Sequence, residues 1–372
     1  MKSILLTTTA IVAFAGVAAA DENAGVSFGG SASLGYNDDW EDGFYWDTKL
    51  DVTFSSALDN GLTAGATFGI EIDDEGDGNN DQWFSNNDFN LVSNSLVLSL
   101  TSDTAGLYFG DTAFAAESQW SGAGDMEADG FSEADGEVAL RGDIMMAGVN
   151  ASVSYLVAGA DGDYVNDGIA EAVDQLSVGV SGDLGMFSFS AAYQEESTFS
   201  PGGNGDFNDD EVFGVSAGFA AGGADIKVAY ASNETAGENS TGIQVSYPFG
   251  PVTGTVYYVS EDDGSGDDNY GVTVAYEDGP IMAKFDYDND QGVDKWNLDG
   301  SYDVGNGLTV LAGMQNENEG DDADYYVAGT YGLGGGASLL VSYAEDADGD
   351  QADEIGAPEY LPGSTVKLTF KF

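Results

Sequence analysis

The last nine residues, Ser364 to Phe372, alternate strictly between two kinds of side chain. Val366, Leu368, Phe370 and Phe372 fall on one face of an extended strand; Thr365, Lys367, Thr369 and Lys371 fall on the other, because strand side chains alternate with period two. The pattern recurs upstream. Trp46, Thr48, Leu50, Val52 and Phe54 face one way, and Tyr45, Asp47, Lys49, Asp51 and Thr53 the other. Asp59-Asn60-Gly61 then turns the chain, which returns as Leu62, Ala64, Ala66, Phe68, Ile70 and Ile72 against Thr63, Gly65, Thr67, Gly69, Glu71 and Asp73. An Asn-Gly pair between alternating runs is a strong hairpin signal. Few folds tolerate such alternation from end to end.

Further hairpins read as residues 94–113, 138–158, 175–195, 211–233, 241–262, 270–288, 295–317 and 325–345. A lone first strand near residues 25–36 and the lone last strand bring the count to about twenty. The two lone strands should pair with each other and so remove both open edges. One set of connections is short: Asp59-Asn60-Gly61, Gly185-Met186, Ala221-Gly222-Gly223, residues 248–251, Asp278-Gly279-Pro280, Asn306-Gly307 and Gly334-Gly335-Gly336. The alternate set is long and acidic: residues 73–81, 161–174, 200–210, 262–269 and 346–359. Short turns on one side and long loops on the other predict an all-β, antiparallel up-and-down transmembrane barrel with an even number of strands. A soluble sandwich has no reason to segregate its connections this way. A solenoid would show one strict repeat length.

Lys2, the apolar run from Ile4 to Val17, and Ala18-Ala19-Ala20 have the order of a secretory signal peptide. We therefore expect cleavage after Ala20 and a single barrel domain over residues 21–372. The leading apolar run is short of the roughly 20 residues a spanning helix needs. Backbone groups in lipid must be satisfied internally, so a strand protein spans a membrane only as a closed barrel.

Charge narrows the function. The chain carries 8 basic and 66 acidic residues, a formal charge of −58, with no histidine and no cysteine. Nucleic acid is excluded as a partner, because phosphate binding needs a basic surface. Disulfides, Cys/His zinc sites and histidine-based catalysis are excluded as well. No catalytic motif is present, and neither an enzyme activity nor a cofactor is expected. The 54 glycines with 19 tyrosines and 20 phenylalanines suit many short strands joined by turns better than disorder.

Beyond Lys2, the basic residues are Lys49, Arg141, Lys227, Lys284, Lys295, Lys367 and Lys371, each on the polar parity of an expected strand. Avoidance of an apolar face explains the parity, but not their confinement to strands. The third long connection, residues 114–137, stands apart. It carries Asp125, Glu127, Asp129, Glu133, Asp135 and Glu137, together with Trp120, Met126 and Phe131. A solvated loop has little use for those apolar side chains. A loop folded into the barrel would bury them, narrow the lumen and set its acids against a basic wall.

Gly106-Leu-Tyr-Phe-Gly-Asp111, the stretch from Asp324 to Ser338 with its Gly-Gly-Gly-Ala turn, and the terminal Val366–Phe372 strand together resemble the general-diffusion porins of alphaproteobacteria. The resemblance implies a water-filled outer-membrane barrel of Gram-negative cells, a third loop folded inward as an eyelet, basic wall residues opposite its acids, and homotrimers in outer-membrane lipid. Members of that family commonly have sixteen strands, fewer than the twenty or so segments counted here. Their second strand also tends to carry an arginine cluster, whereas here Lys49 is followed by Asp51.

The expected function is a passive channel for ions and small hydrophilic solutes, preferring cations. Its constriction is expected from Asp125, Glu127, Asp129, Glu133, Asp135 and Glu137, with Lys49 and Arg141 across the lumen. A substrate-selective channel of the same architecture is the alternative; a secreted acidic β-protein that binds calcium is a more distant one. For calcium or magnesium the weak candidates are Asp73, Glu75, Asp77 and Asp81. Gly78 holds the sixth position of that run, but Phe84 stands at the twelfth where an EF-hand needs glutamate.

Overall fold

The computed structural model describes residues 24–39, 43–73, 96–133, 137–158, 174–197, 207–262, 264, 266–316, 323–345 and 360–372. The expected signal peptide, Asp135, Glu75, Asp77 and Asp81 lie outside these residues, as does the side chain of Asp73.

Alternation becomes twenty antiparallel strands. The first ten are β1 (Ala24–Asn37), β2 (Gly43–Ala57), β3 (Thr63–Asp73), β4 (Val97–Thr101), β5 (Ala105–Gly110), β6 (Val138–Met146), β7 (Val149–Ala158), β8 (Asp174–Asp183), β9 (Phe187–Gln194) and β10 (Val212–Ala221). They continue as β11 (Ala224–Asn233), β12 (Glu238–Phe249), β13 (Val252–Asp262), β14 (Asn269–Asp278), β15 (Ile281–Asp290), β16 (Val293–Gly305), β17 (Leu308–Asn316), β18 (Asp324–Gly334), β19 (Ala337–Glu345) and β20 (Gly363–Lys371). Each strand pairs with its neighbours in sequence, and β1 pairs with β20 from Ser31↔Lys371 to Asn37↔Thr365. The sheet is a closed ring with no free edge. Twenty strands is the number read from the alternation and exceeds the family's usual sixteen, and a ring widens as strands are added.

Parity decides which side chains face out. On β10, Phe213, Val215 and Phe219 are exposed while Val212 and Gly214 are buried. On β20, Val366 and Phe370 point outward, whereas Thr365 is buried on the inner side. Exposed apolar side chains around a ring form a surface for lipid, not water. Among the described residues no helix is long and apolar enough to cross a membrane.

The turns are local chemistry. At Asn306-Gly307 both residues have positive φ, 55° and 85°. That is the mirror-image turn whose twist matches two antiparallel strands, and Asn and Gly tolerate it best. All nine connections on this rim are tight, and the long loops lie on the opposite rim. Two links on the long-loop rim are also tight: residues 234–237, and Gln291-Gly292 between β15 and β16.

Candidate pore constriction

After β5 the chain turns into the barrel. Helix α1 (Ala115–Gln119) is followed by a single tight 3-10 turn, Glu127–Asp129. The backbone of this segment hydrogen-bonds to side chains of inward parity on the wall. Ala115 N donates to Ser154 Oγ and Ala116 N to Ser177 Oγ, both at 2.8 Å. Further along, Gly124 N donates to Gln244 Oε1 at 3.2 Å, Ala128 N to Ser240 Oγ at 3.0 Å, and Ser132 N to Gln194 Oε1 at 2.7 Å. Backbone donors removed from water need such partners. The wall supplies serine and glutamine where a helix or sheet would have supplied carbonyls.

Three wall glycines make room. A Cβ at Gly179 would lie 2.3 Å from Ala115 O, one at Gly214 2.5 Å from the Trp120 ring, and one at Gly242 2.1 Å from Ala123 O. The apolar residues of the loop pack against inward-facing apolar side chains. Ala123, Met126 and Ala128 sit on Ala229, Ala231 and Val259; Ala116 and Phe131 sit on Ala192 and Val212. Phe114 is fully buried beside Ala139, Leu156 and Phe207. The loop thus lines the wall from β7 round to β14, in the external half of the barrel.

The acids separate into distinct environments. Asp125 and Glu127 form the tip, against β13 to β16. Glu127 accepts a hydrogen bond from Asn269 Nδ2 at 2.9 Å, and its backbone N–H donates to Glu261 Oε1 at 3.3 Å. Asp125 keeps contact with solvent yet is hemmed in by protein. Burial pushes its carboxyl up to about 6, helped by the negative charges of Asp290, Glu127 and Asp288 and opposed by Lys295. Asp125, Glu127 and Asp290 each bring a carboxylate oxygen within 4.8 Å of the others. Hard divalent cations take oxygen ligands of this kind, although exposed acids also gather without an ion.

Asp129 is tucked away: Trp120 Nε1 donates to its Oδ2 at 2.8 Å, and burial raises its pKa more than that bond lowers it. Glu133 lies near Glu117 at the loop's root, and Glu137 is almost fully buried. Arg141 is at the root too. Its Nη1 donates to Ala113 O at 2.8 Å, its Nε lies 3.2 Å from Asp143, and its guanidinium stacks 5.0 Å from the Tyr108 ring. Arg141 therefore stands beside the start of the loop, on the same wall. Lys49 is exposed on β2, and in a ring of twenty β2 is diametrically opposite β12, to which Gly124 and Ala128 beside the tip are bonded. Lys367 reaches Asp47 at 3.3 Å in the same sector.

Three participants escaped the reading by sequence. Glu117 was not singled out among the acids of the third connection. Asp288 and Asp290 looked like any strand acids, and their position beside the tip depends on contacts far apart in the chain. The wall serines and glycines had a visible signal: small polar residues at inward parity where a pore wall would otherwise carry larger side chains.

The family model of Gram-negative porins matches residues 7–351. The chain belongs to this family. It is a porin of the outer membrane, a passive diffusion channel, and the family and fold are those of a channel rather than an enzyme. Among solved structures, it is similar to a mutant of the porin of Rhodopseudomonas blastica at TM-score 0.47 and 15% identity, over 93% of this chain and 100% of that one. A triple mutant of the same porin matches at TM-score 0.46, with the same identity and coverage. No curated protein matches this porin.

Proposed function

We propose that this porin prefers cations and that the tip acids of the inward-folded loop set the preference. One observation carries the reading: Asp125 and Glu127 stand inside the lumen beside Asp288 and Asp290, and the nearby bases are each paired with an acid, Lys295 with Asp290 at 2.8 Å and Lys284 with Asp286 at 2.9 Å. Fixed negative charge in a narrow, partly dehydrated passage enriches cations and depletes anions. Lys49 and Lys367 on the far wall direct the field across the bore.

The test is a reversal potential across a salt gradient in a planar bilayer. Preference for cations should be strong at ~0.1 M salt, where the Debye length is ~10 Å, and fade near ~1 M, where it is ~3 Å. Anion preference at low salt would overturn the reading. Acidification adds a second signature. Asp125 titrates at about 6, so its charge is present above that pH and lost below it. Cation preference should fall between about pH 7 and about pH 5, well above the range in which an ordinary aspartate titrates. In Asp125→Asn that step should vanish; its persistence would assign it to another group.

The same reading includes a homotrimer. Strands β4 and β5 have 5 and 6 residues, whereas a spanning strand needs about 9–11. A wall this low cannot meet lipid over its full height, and a neighbouring copy would cover it. Cross-linking of detergent-extracted protein should give trimers, with Leu107→Arg on β5 weakening them.

A further inference from the structure

The third loop is not the sole segment lying on the inner wall. Tyr360, immediately before β20, packs on Tyr326, Ala328 and Ala344, with Leu311 and Leu340 at the margin. Every one of these wall residues has inward parity, since their neighbours Tyr325, Val327, Tyr343, Val341 and Val310 are the exposed, outward-facing ones. Tyr360 is therefore inside the barrel.

A porin bore is polar, and an apolar patch on it is costly unless covered. In this barrel inward-facing apolar patches coincide with inward-folded chain: Ala229, Ala231 and Val259 lie under the third loop, and Leu311, Ala328 and Leu340 lie beneath Tyr360. The rings of Tyr326 and Tyr360 have centroids 4.7 Å apart. Tyr326 Oη donates to Asp299 at 3.1 Å, and Gly313 leaves room for that pair, since a Cβ there would lie 2.4 Å from the Tyr326 ring. Tyr360 Oη is buried and makes no hydrogen bond among the described residues, and the ring packs on its neighbours there. Behind it, Pro362 O accepts from Asn37 Nδ2 at 2.7 Å, which fixes the segment to the inner side of β1.

Strands β18 and β19 are diametrically opposite β8 and β9, where α1 lies. Both contacts are in the external half of the barrel. We propose that the bore is narrowed from two sides, by the third loop on one wall and by the Tyr360–Pro362 segment on the other, with Tyr326 as the anchor of the second. Tyr360 is then a positioning residue for solute size, and this inference rests on the channel reading of the family.

The experiment is single-channel recording in planar bilayers with polyethylene glycols of graded size to measure the cut-off. Conductance by the wild-type protein tests the channel reading itself. With that established, Tyr360→Ala and Tyr326→Ala should each raise conductance and admit a larger polymer, and the double variant should be no wider than either. Tyr360→Phe should match the wild type, because among the described residues the hydroxyl has no bond to lose. Unchanged conductance and cut-off in a Tyr360→Ala barrel that migrates as folded protein overturns the proposal. Should that variant not fold, Tyr326→Cys/Tyr360→Cys decides. In this cysteine-free chain a short bifunctional thiol reagent should link the two positions, and failure to link them in folded barrels overturns the proposal.

Discussion

Replacing the loop tip between Trp120 and Phe131 with a short glycine-serine linker should raise single-channel conductance. The two rings that flank the tip have centroids 5.6 Å apart, so the cut ends are already close and the anchors on Gly214 and Val212 survive. What is lost is the part of the loop that covers Ala229, Ala231 and Val259, together with Asp125 and Glu127. Neutralising Asp125, Glu127 and Asp129 to asparagine, with the loop intact, should reduce cation preference more than the same change at Asp346, Asp348 and Asp350. The first set lies within the bore, where the effective dielectric is low and a unit charge acts at full strength; the second belongs to a long acidic connection. Within the first set Asp129 should contribute least, because its carboxylate is already bound by Trp120. Unchanged conductance after the deletion, with equal behaviour of the two neutralised sets, would place the constriction elsewhere.

Arginine at Leu368 should impair assembly far more than arginine at Thr369. Leu368 is in register with Leu34 and Leu339, and Leu34 is 50% exposed on the outer surface. Thr369 is in register with Ser33 and Ser338 on the inner face, where Ser33 Oγ donates to Asp47 at 2.5 Å. A charge on the lipid side near the midplane costs ~2–4 kcal/mol. A charge on the inner side meets water and the Asp47 carboxylate. The yield of heat-resistant folded barrel from the two variants measures the difference. Equal yields would reverse the assignment of faces along the whole ring.

The hairpins were legible in the sequence because each depends on neighbours within a few residues. The Asn60-Gly61 and Asn306-Gly307 turns and the alternation from Trp46 to Phe54 follow from side-chain parity and turn geometry, whereas the pairing of the first strand with the last follows from the need to leave no open edge. The inward fold of residues 114–137 was visible too, since Trp120, Met126 and Phe131 needed somewhere to pack. Their destination was not visible. Ala231, Val259 and Gly242 become a seat for the loop only when β11 to β13 stand side by side, more than a hundred residues from the chain that covers them.

The acids show the same limit. Asp125, Glu127 and Asp129 are close in sequence and alike in composition, yet the first two reach the lumen beside Asp288 and Asp290 while the third is bound beneath Trp120. Arg141 has the parity of a pore-lining base, and tertiary contacts set it at the root of the loop, on Ala113 O and Tyr108. Period-two alternation, a strongly local property, was enough for the chain alone to determine an up-and-down barrel of about twenty strands and the face each residue takes. Which inward-facing residues meet water and which are covered by chain was decided only by the tertiary structure, because that depends on segments brought together across the barrel by its closure.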